Sequence, residues 1–226
     1  MKELKRIKEK IGKEYPTIFV ILGNDDGRLE EAAMLDAAAQ GIWIYCHNRH
    51  IQWKGFSIYG YSYVPPTPFR LKDWERYDVS RYVDPGCIHP CDGGRSVPVS
   101  QYEMEYGTIA DDLEKLAGHA DHSRSIFLFH SPPYKCKLDR TALDGKKIDY
   151  VPLDVHVGSI AIQRFIEEKQ PLITLHGHIH ESTRLTGSWR DTFNRTESFN
   201  ASHDGPELSL VRFDPQCPEH AIRELI

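Results

Sequence analysis

Residues 17–26 read TIFVILGNDD, and this segment gives the first indication of the fold. The run Thr17–Leu22 is apolar and rich in β-branched side chains, and Gly23 ends it. Such a continuous run predicts a strand that is buried on both faces. Asn24 and Asp25 follow directly, so polar side chains are expected at the carboxyl end of this strand.

Two later segments repeat this arrangement of an apolar strand followed by polar residues. The run IFLF at residues 126–129 leads into His130, and LITL at residues 172–175 leads into the cluster HGHIH at residues 176–180. In open α/β sheets, ligand-binding residues collect at the carboxyl ends of strands. We therefore expect the three loops to converge on one site.

The rest of the chain alternates between helical and extended patterns. Helices are predicted at Met1–Tyr15, Glu30–Gln40, Ile109–Ala117 and Ser159–Lys169, and further strands at Ile42–Tyr45, Gly55–Tyr61 and Leu208–Phe213. This order of elements predicts an α/β fold with a mixed sheet system. No linker divides the chain, so residues 1–226 are expected to form a single domain.

An irregular segment at residues 61–100 interrupts this alternation. It combines prolines at six positions with Trp74 and several tyrosines, and it shows no regular periodicity. Loops of this kind often form one wall of a ligand cleft. A packed surface loop is the alternative, and the sequence leaves both interpretations open.

The composition excludes several classes of protein. A net charge of −5 gives no basic surface of the kind that a dedicated nucleic-acid binder needs, although it does not forbid a nuclease. No stretch approaches the roughly 20 apolar residues of a membrane span, and the charged N-terminus is unlike a secretory signal. We therefore expect a cytoplasmic protein without a membrane partner.

The residues at the three strand ends are potential metal ligands. Asn24 offers a carbonyl oxygen, whereas His130, His178 and His180 offer imidazole nitrogens. Nitrogen and oxygen donors suit zinc, manganese or iron. Gly177 permits the sharp turn that would aim the two histidines of the pair at different ions. Each motif alone has an ordinary structural explanation, but their order and strand context together predict a metal site.

These motifs resemble those of the calcineurin-like metallophosphoesterases. GNDD at residues 23–26, His130 within HSPP, and GHIH at residues 177–180 match the last three motifs of that family, and the HSPP and HVGS wording is similar to its bacterial and archaeal branch. The resemblance implies a four-layer α/β/β/α sandwich that holds two divalent ions, with Asn24, His130 and His178 on the second ion and His180 on the first. It further implies hydrolysis of a small phosphomonoester or phosphodiester by metal-activated water.

The chain departs from the family pattern at the residue that assists the leaving group. Asp25 stands where many members of the family have a histidine that steadies the phosphate or protonates the leaving oxygen. Asp25 is therefore a candidate catalytic residue, and His156 and His176 are candidates to replace the lost histidine as proton donors. For both histidines, a role in packing is the alternative.

The second departure is the absence of the first two family motifs, Asp-x-His and Gly-Asp. No glycine in the chain precedes an aspartate, and Asp154-Val155-His156 is the single Asp-x-His, in a loop after Pro152. We therefore expect the fold to lack its first βα unit and to expose a sheet edge, across which a homodimer would form. A non-catalytic, degenerate phosphoesterase that binds a metal or a partner is the alternative function.

Overall fold

The computed structural model describes residues 2–226, so Met1 of the predicted N-terminal helix lies outside the described residues. The helices are α1 (Lys2–Ile11), α2 (Glu31–Ala39), α3 (Gln101–Tyr106), α4 (Ile109–Ala117), α5 (Ile160–Lys169) and α6 (Ser182–Thr186). The strands are β1 (Phe19–Val20), β2 (Ile44–Tyr45), β3 (Arg49–Trp53), β4 (Phe56–Tyr61), β5 (Ser125–Phe129), β6 (Lys147–Ile148), β7 (Val151–Pro152), β8 (Ile173–His176), β9 (Arg190–Phe193), β10 (Thr196–Asn200), β11 (Ser209–Arg212) and β12 (Ile222–Leu225).

A six-stranded sheet in the order β3-β4-β5-β8-β10-β9 forms the centre of the molecule. Strands β4, β5, β8 and β10 run parallel to one another, and the two edge strands are antiparallel to their neighbours. Strands β1 and β2 form a separate parallel pair. The chain is thus an α/β protein with a mostly parallel central sheet, as the sequence predicts.

The central sheet has an apolar core on each face. On one face, the buried side chain of Phe127 packs with residues of α4 and α5, including Leu113 and Phe165. On the other face, Phe199 packs near Val211 of the β11–β12 pair. Full burial of each large apolar side chain contributes roughly 1.5–3 kcal/mol, so these two layers hold the sheet in place.

Capping residues determine where the two core-facing helices begin. The side chain of Thr108 accepts a hydrogen bond from the backbone N–H of Asp111 at the start of α4. Ser159 does the same for Ile162 at the start of α5. Such caps contribute about 1 kcal/mol each. They explain why α4 keeps its predicted bounds and why α5 begins directly after Ser159.

The first predicted strand is shorter and less buried than its sequence indicates. Extended pairing covers only Phe19 and Val20 of the predicted Thr17–Leu22, and both side chains are half-buried. The reason is that β1 pairs with β2 alone and lies outside the six-stranded sheet. The expectation of a strand buried on both faces is therefore wrong for this segment.

The irregular segment that follows β4 is fixed by buried polar contacts rather than by regular structure. Lys72 and Glu75, both buried, form an ion pair at 2.5 Å. The Glu75 carboxylate also accepts hydrogen bonds from the backbone and hydroxyl of Thr67. Asp73 accepts hydrogen bonds from the backbone N–H groups of Arg28 and Ser96. Because buried charges without partners are costly, these contacts give the loop a defined shape.

None of the helices formed by residues 2–226 combines the length and the apolar character needed to cross a bilayer.

Candidate functional site

Two of the predicted ligands follow neighbouring parallel strands. His130 comes directly after β5, and His178 comes two residues after β8, which pairs with β5. The backbone N–H of His130 donates to Tyr61, and the carbonyl of His130 accepts from Gly177. These bonds fix the two loops side by side, and the imidazole ring centres lie 5.2 Å apart.

The loop after β1 brings Asn24 to His130. A tight turn shapes this loop, because the Asp26 carboxylate accepts the Gly23 N–H at 2.7 Å and the Gly23 carbonyl accepts the Asp26 N–H. His130 Nε2–H then donates to Asn24 Oδ1 at 2.9 Å. The amide nitrogen of Asn24 donates to Asp25 Oδ1, so Asp25 orients the amide. Asn24, His130 and His178 therefore meet, and we refer to them as the histidine site.

Gly23 lies directly against the His130 ring. A Cβ atom at residue 23 would lie 2.5 Å from His130 Cε1 and 2.6 Å from His130 Nε2. Carbon atoms in contact normally lie about 3.5–4.0 Å apart. Only glycine therefore lets the His130 ring occupy its present place.

The turn between the two histidines of the GHIH motif is made by His178. The Ile179 N–H donates to the Gly177 carbonyl at 2.8 Å, which closes a three-residue γ-turn. His178 at the centre of the turn has a φ of 69°, whereas Gly177 is not in the left-handed region. A positive φ is uncommon for a residue with a side chain. The expectation that Gly177 supplies the unusual backbone geometry is therefore wrong, and the strained residue is a histidine of the site itself.

The environment keeps the site histidines neutral. Burial lowers the pKa of His130 to about 4, although the negative charges of Asp25 and Asp26 act in the opposite direction. Burial lowers the pKa of His178 to about 3, and the nearby His130 and His180 add to this effect. A metal ion requires the neutral form of imidazole, so both side chains are in the protonation state that can bind one.

The spacing of the histidine site fits a single metal ion. Imidazoles that bind one ion at about 2.0–2.1 Å, at angles of about 90–110°, place their ring centres roughly 4.5–5.3 Å apart, and neighbouring ligand atoms lie about 3 Å apart. The observed 5.2 Å between the rings of His130 and His178 agrees with this geometry. So does the 2.9 Å between His130 Nε2 and Asn24 Oδ1, where an ion would replace the hydrogen bond.

His180 does not complete a compact set of ligands with the other two histidines. Its side chain is exposed. Within residues 2–226, one cluster brings three ligand atoms of His, Cys or carboxylate groups within 4.8 Å of one another. It consists of the exposed residues Cys217, Glu219 and His220 and does not include His180. His180 therefore lies near His130 and His178 without forming a compact ligand set with them, and its expected role on a different ion stays a prediction.

A large cavity opens beside the histidine site. Its volume is about 660 Å³, within the range of small-molecule sites, and His178 and His156 both contribute to its lining. Residues 65–69, 78–80 and 82–87 form one wall, which we call the loop wall. Of the two interpretations of the segment 61–100, the cleft wall is therefore the correct one.

His156 is held in the cavity lining by a buried carboxylate. His156 Nδ1–H donates to Asp139 Oδ1 at 2.7 Å, and Asp139 is inaccessible to solvent. Asp139 also accepts hydrogen bonds from the backbone N–H groups of Lys135, Cys136 and Gly158. This pairing fixes the proton on Nδ1 and leaves Nε2 free for chemistry. Sequence reasoning missed Asp139, because no motif or spacing links it to a histidine 17 residues later.

The other two candidate catalytic residues lie outside the cavity lining. His176 is buried, donates through Nδ1–H to the Ser131 carbonyl and accepts from the Thr174 hydroxyl, so both ring nitrogens are occupied. This environment gives His176 the packing role that was its alternative. Asp25 is exposed and contacts Asn24, so its visible role is to orient a ligand rather than to reach a substrate.

Comparison with known proteins identifies the fold and no family. No family model matches the chain, and no curated protein is similar enough to count as a relative. One crystal structure aligns over 99% of this chain and 71% of its own length, with 17% identity and a TM-score of 0.56. The crystal structure of TT1561 from Thermus thermophilus aligns over 99% and 79%, with 15% identity and a TM-score of 0.49. At 17% identity, the likeness to the first of these structures shows a shared fold alone.

Proposed function

We propose that this chain is a metal-dependent phosphoesterase of the calcineurin-like type. The observation that carries the proposal is the meeting of Asn24, His130 and His178, which lie far apart in the sequence, beside a cavity large enough for a small substrate. The central sheet, with helices on one face and a strand pair on the other, supports three of the four layers of an α/β/β/α arrangement.

The histidine site would hold one divalent ion, with manganese, zinc and iron all compatible with its donors. When bound, such an ion supplies Lewis-acid chemistry toward a phosphate ester. His180 would serve a second ion, because its side chain is exposed and forms no compact ligand set with His130 and His178. We therefore expect about one ion per chain at the histidine site when the protein is purified without chelators.

The chain's own residues would orient the ester and deliver a proton. Hydrolysis forms a bond between phosphorus and a water oxygen and breaks the bond from phosphorus to the leaving alcohol, which must gain a proton. Protonated His156 can donate that proton from Nε2, because Asp139 holds its Nδ1–H and the side chain lies in the cavity lining. The apolar side chains of the loop wall would exclude water from the rest of the substrate.

The direct test combines metal binding with hydrolysis of bis(4-nitrophenyl) phosphate in the presence of Mn²⁺. His130→Ala should weaken Mn²⁺ binding in calorimetry by more than the roughly 10–100-fold that loss of a mere supporting residue costs, and it should abolish turnover. His119→Ala is the matched control, since His119 is exposed and precedes β5, whereas His130 follows the opposite end of that strand. Equal Mn²⁺ affinity of the two variants would refute the proposal.

A metal-binding protein without catalytic activity is the second candidate. It is favoured by the absence of any carboxylate among the four proposed ligands, because two ions held close together need a bridging anion to offset their repulsion. The same experiment separates the two functions. Binding of Mn²⁺ at the histidine site without turnover of the aryl ester would favour the non-catalytic protein.

A further inference from the structure

The large cavity has walls that are mainly apolar. Side chains from several separate loops share this character, including Pro66, Phe69, Val83, Leu143, Ile148 and Leu153. Only a small part of the lining belongs to the histidine site, through His178. A ligand that filled this volume would therefore bury apolar surface far from the phosphate position, and apolar burial is the main source of affinity in such pockets.

Carboxylates outnumber the basic groups around the cavity, where the two histidines His156 and His178 are the basic side chains of the lining. Its lining includes Asp78, Asp84, Asp154 and Glu181, and none of the described residues that line it is Lys or Arg. Asp78 is occupied at the start of α5, where it accepts the backbone N–H of Ile160 at 2.7 Å. The remaining carboxylates contribute a negative potential that no Lys or Arg of the lining offsets.

Asp84 and Asp154 lie close enough to influence each other. Burial raises the pKa of Asp84, and the charge of Asp154 raises it further. The Tyr134 hydroxyl donates a hydrogen bond to the Asp154 carboxylate at 2.6 Å, which fixes that carboxylate beside the cavity. An anion entering here would meet two negative groups from opposite loops. At about 7 Å and an effective dielectric constant of about 40, each carboxylate disfavours a bound anion roughly sevenfold.

We propose that this cavity selects the organic part of a phosphate ester that is apolar and carries no negative charge beyond the phosphate itself. For the binding of the phosphate group, this inference rests on the proposed function. For the binding of the organic part, it rests on the cavity alone. Nucleoside polyphosphates and acidic phosphopeptides are disfavoured, because their additional anionic groups would lie against Asp84 and Asp154. Aryl and alkyl phosphate esters fit the cavity.

A pair of dyes tests the cavity without any need for metal or turnover. N-phenyl-1-naphthylamine is neutral and apolar, and 8-anilino-1-naphthalenesulfonate is the same molecule with one sulfonate added. Fluorescence titration should show that the neutral dye binds at least about tenfold more tightly. Equal affinity for the two dyes, or tighter binding of the sulfonate, would overturn the proposal.

Two variants locate the effect in the cavity. Leu143→Arg places a cation at a half-exposed lining position and should reduce or reverse the preference for the neutral dye. Leu208→Arg makes the same substitution at a residue that is 65% exposed and outside the lining, so it should leave the preference unchanged. Asp84→Asn preserves the shape of the side chain and removes its charge, so it should reduce the ratio of the two dye affinities by several-fold. A preference that responds equally to the two arginines would contradict the assignment.

Hydrolysis then separates the inference from the proposed function. With Mn²⁺ present, kcat/KM for 4-nitrophenyl phenyl phosphate should exceed that for its 4-carboxyphenyl counterpart by at least about tenfold. Equal turnover of the two esters would overturn the inference and leave the proposed function intact. Turnover of neither ester, with the dye preference intact, would overturn the proposed function and leave the ligand preference of the cavity standing.

Discussion

Replacing Gly23 by alanine tests how the histidine site is built. The added Cβ atom would lie 2.5, 2.6 and 2.9 Å from three atoms of the His130 ring. Contacts between such atoms need about 3.5 Å, so the ring must move by about 1 Å. That shift lengthens the 2.9 Å hydrogen bond between His130 and Asn24 beyond its normal limit of about 3.2 Å.

The expected effects of Gly23→Ala are a loss of stability and a loss of metal affinity. Overpacking of a well-packed position costs about 1–3 kcal/mol, and each kcal/mol lowers the melting temperature of a chain of this size by roughly 2–4 °C. Displacement of one ligand should weaken Mn²⁺ binding at least about tenfold. Urea unfolding without metal measures the first effect, and calorimetric Mn²⁺ titration of the folded protein measures the second.

Gly27→Ala is the control for this experiment. A Cβ atom at residue 27 would have its nearest neighbour at 3.6 Å, and Gly27 has a φ of −72°, which alanine adopts freely. The free energy of unfolding of the Gly27→Ala variant should differ from that of the unmodified protein by less than about 1 kcal/mol. If Gly23→Ala matched this control in both stability and Mn²⁺ affinity, the contact between Gly23 and His130 would not define the site.

Three further predictions concern the other histidines. Asp139→Asn should lower the free energy of unfolding by about 2–4 kcal/mol, because it places an amide against several N–H donors. Asp144→Asn, the control at an exposed ion pair, should lower it by under about 1 kcal/mol. Urea unfolding of both variants measures the difference. His176→Ala should destabilise the fold by at least about 2 kcal/mol while leaving Mn²⁺ affinity unchanged, and a parallel loss of affinity would mean that His176 belongs to the site. Burial lowers the pKa of His47 from 6.5 to about 3. Between these two pH values the imidazole takes up a proton in the unfolded state but not in the folded state, so the free energy of unfolding falls as the pH falls. His47→Gln should therefore flatten this fall by about 1.4 kcal/mol per pH unit, measured by urea unfolding at several pH values, and an unchanged slope would contradict the burial argument.

The sequence predicted the central part of the fold because periodicity and burial agree there. Strands β4, β5 and β8 are apolar runs bounded by polar residues, and α4 carries an apolar stripe behind a threonine cap. The two edge strands β3 and β9 and the internal strand β10 were missed. Strand β10, with the sequence TESFN, is mostly buried although four of its five residues are polar, because side chains such as Thr196 and Ser198 are hydrogen-bonded to neighbouring groups. Local polarity cannot reveal such long-range partners.

The convergence of the histidine site could be predicted, but its detailed geometry could not. The order of elements implies that residues after parallel strands share one edge of a sheet, as His130 and His178 do, and Asn24, which follows the separate β1–β2 pair, reaches His130 there. The left-handed backbone at His178 and the buried partner of His156 depend on contacts between distant segments. No local pattern encodes them, nor does one reveal that both ring nitrogens of His176 are occupied by hydrogen bonds.

The loop wall has a kinetic consequence for any molecule that enters the cavity. Reshaping the wall would separate Lys72 from Glu75 where no solvent can replace their contact, at a cost of about 3–5 kcal/mol. Rearranged forms should then make up less than about one molecule in a hundred. Arriving molecules therefore meet a cleft that already has its final shape, and the observed association rate should rise linearly with concentration instead of levelling off at the rate of an opening step.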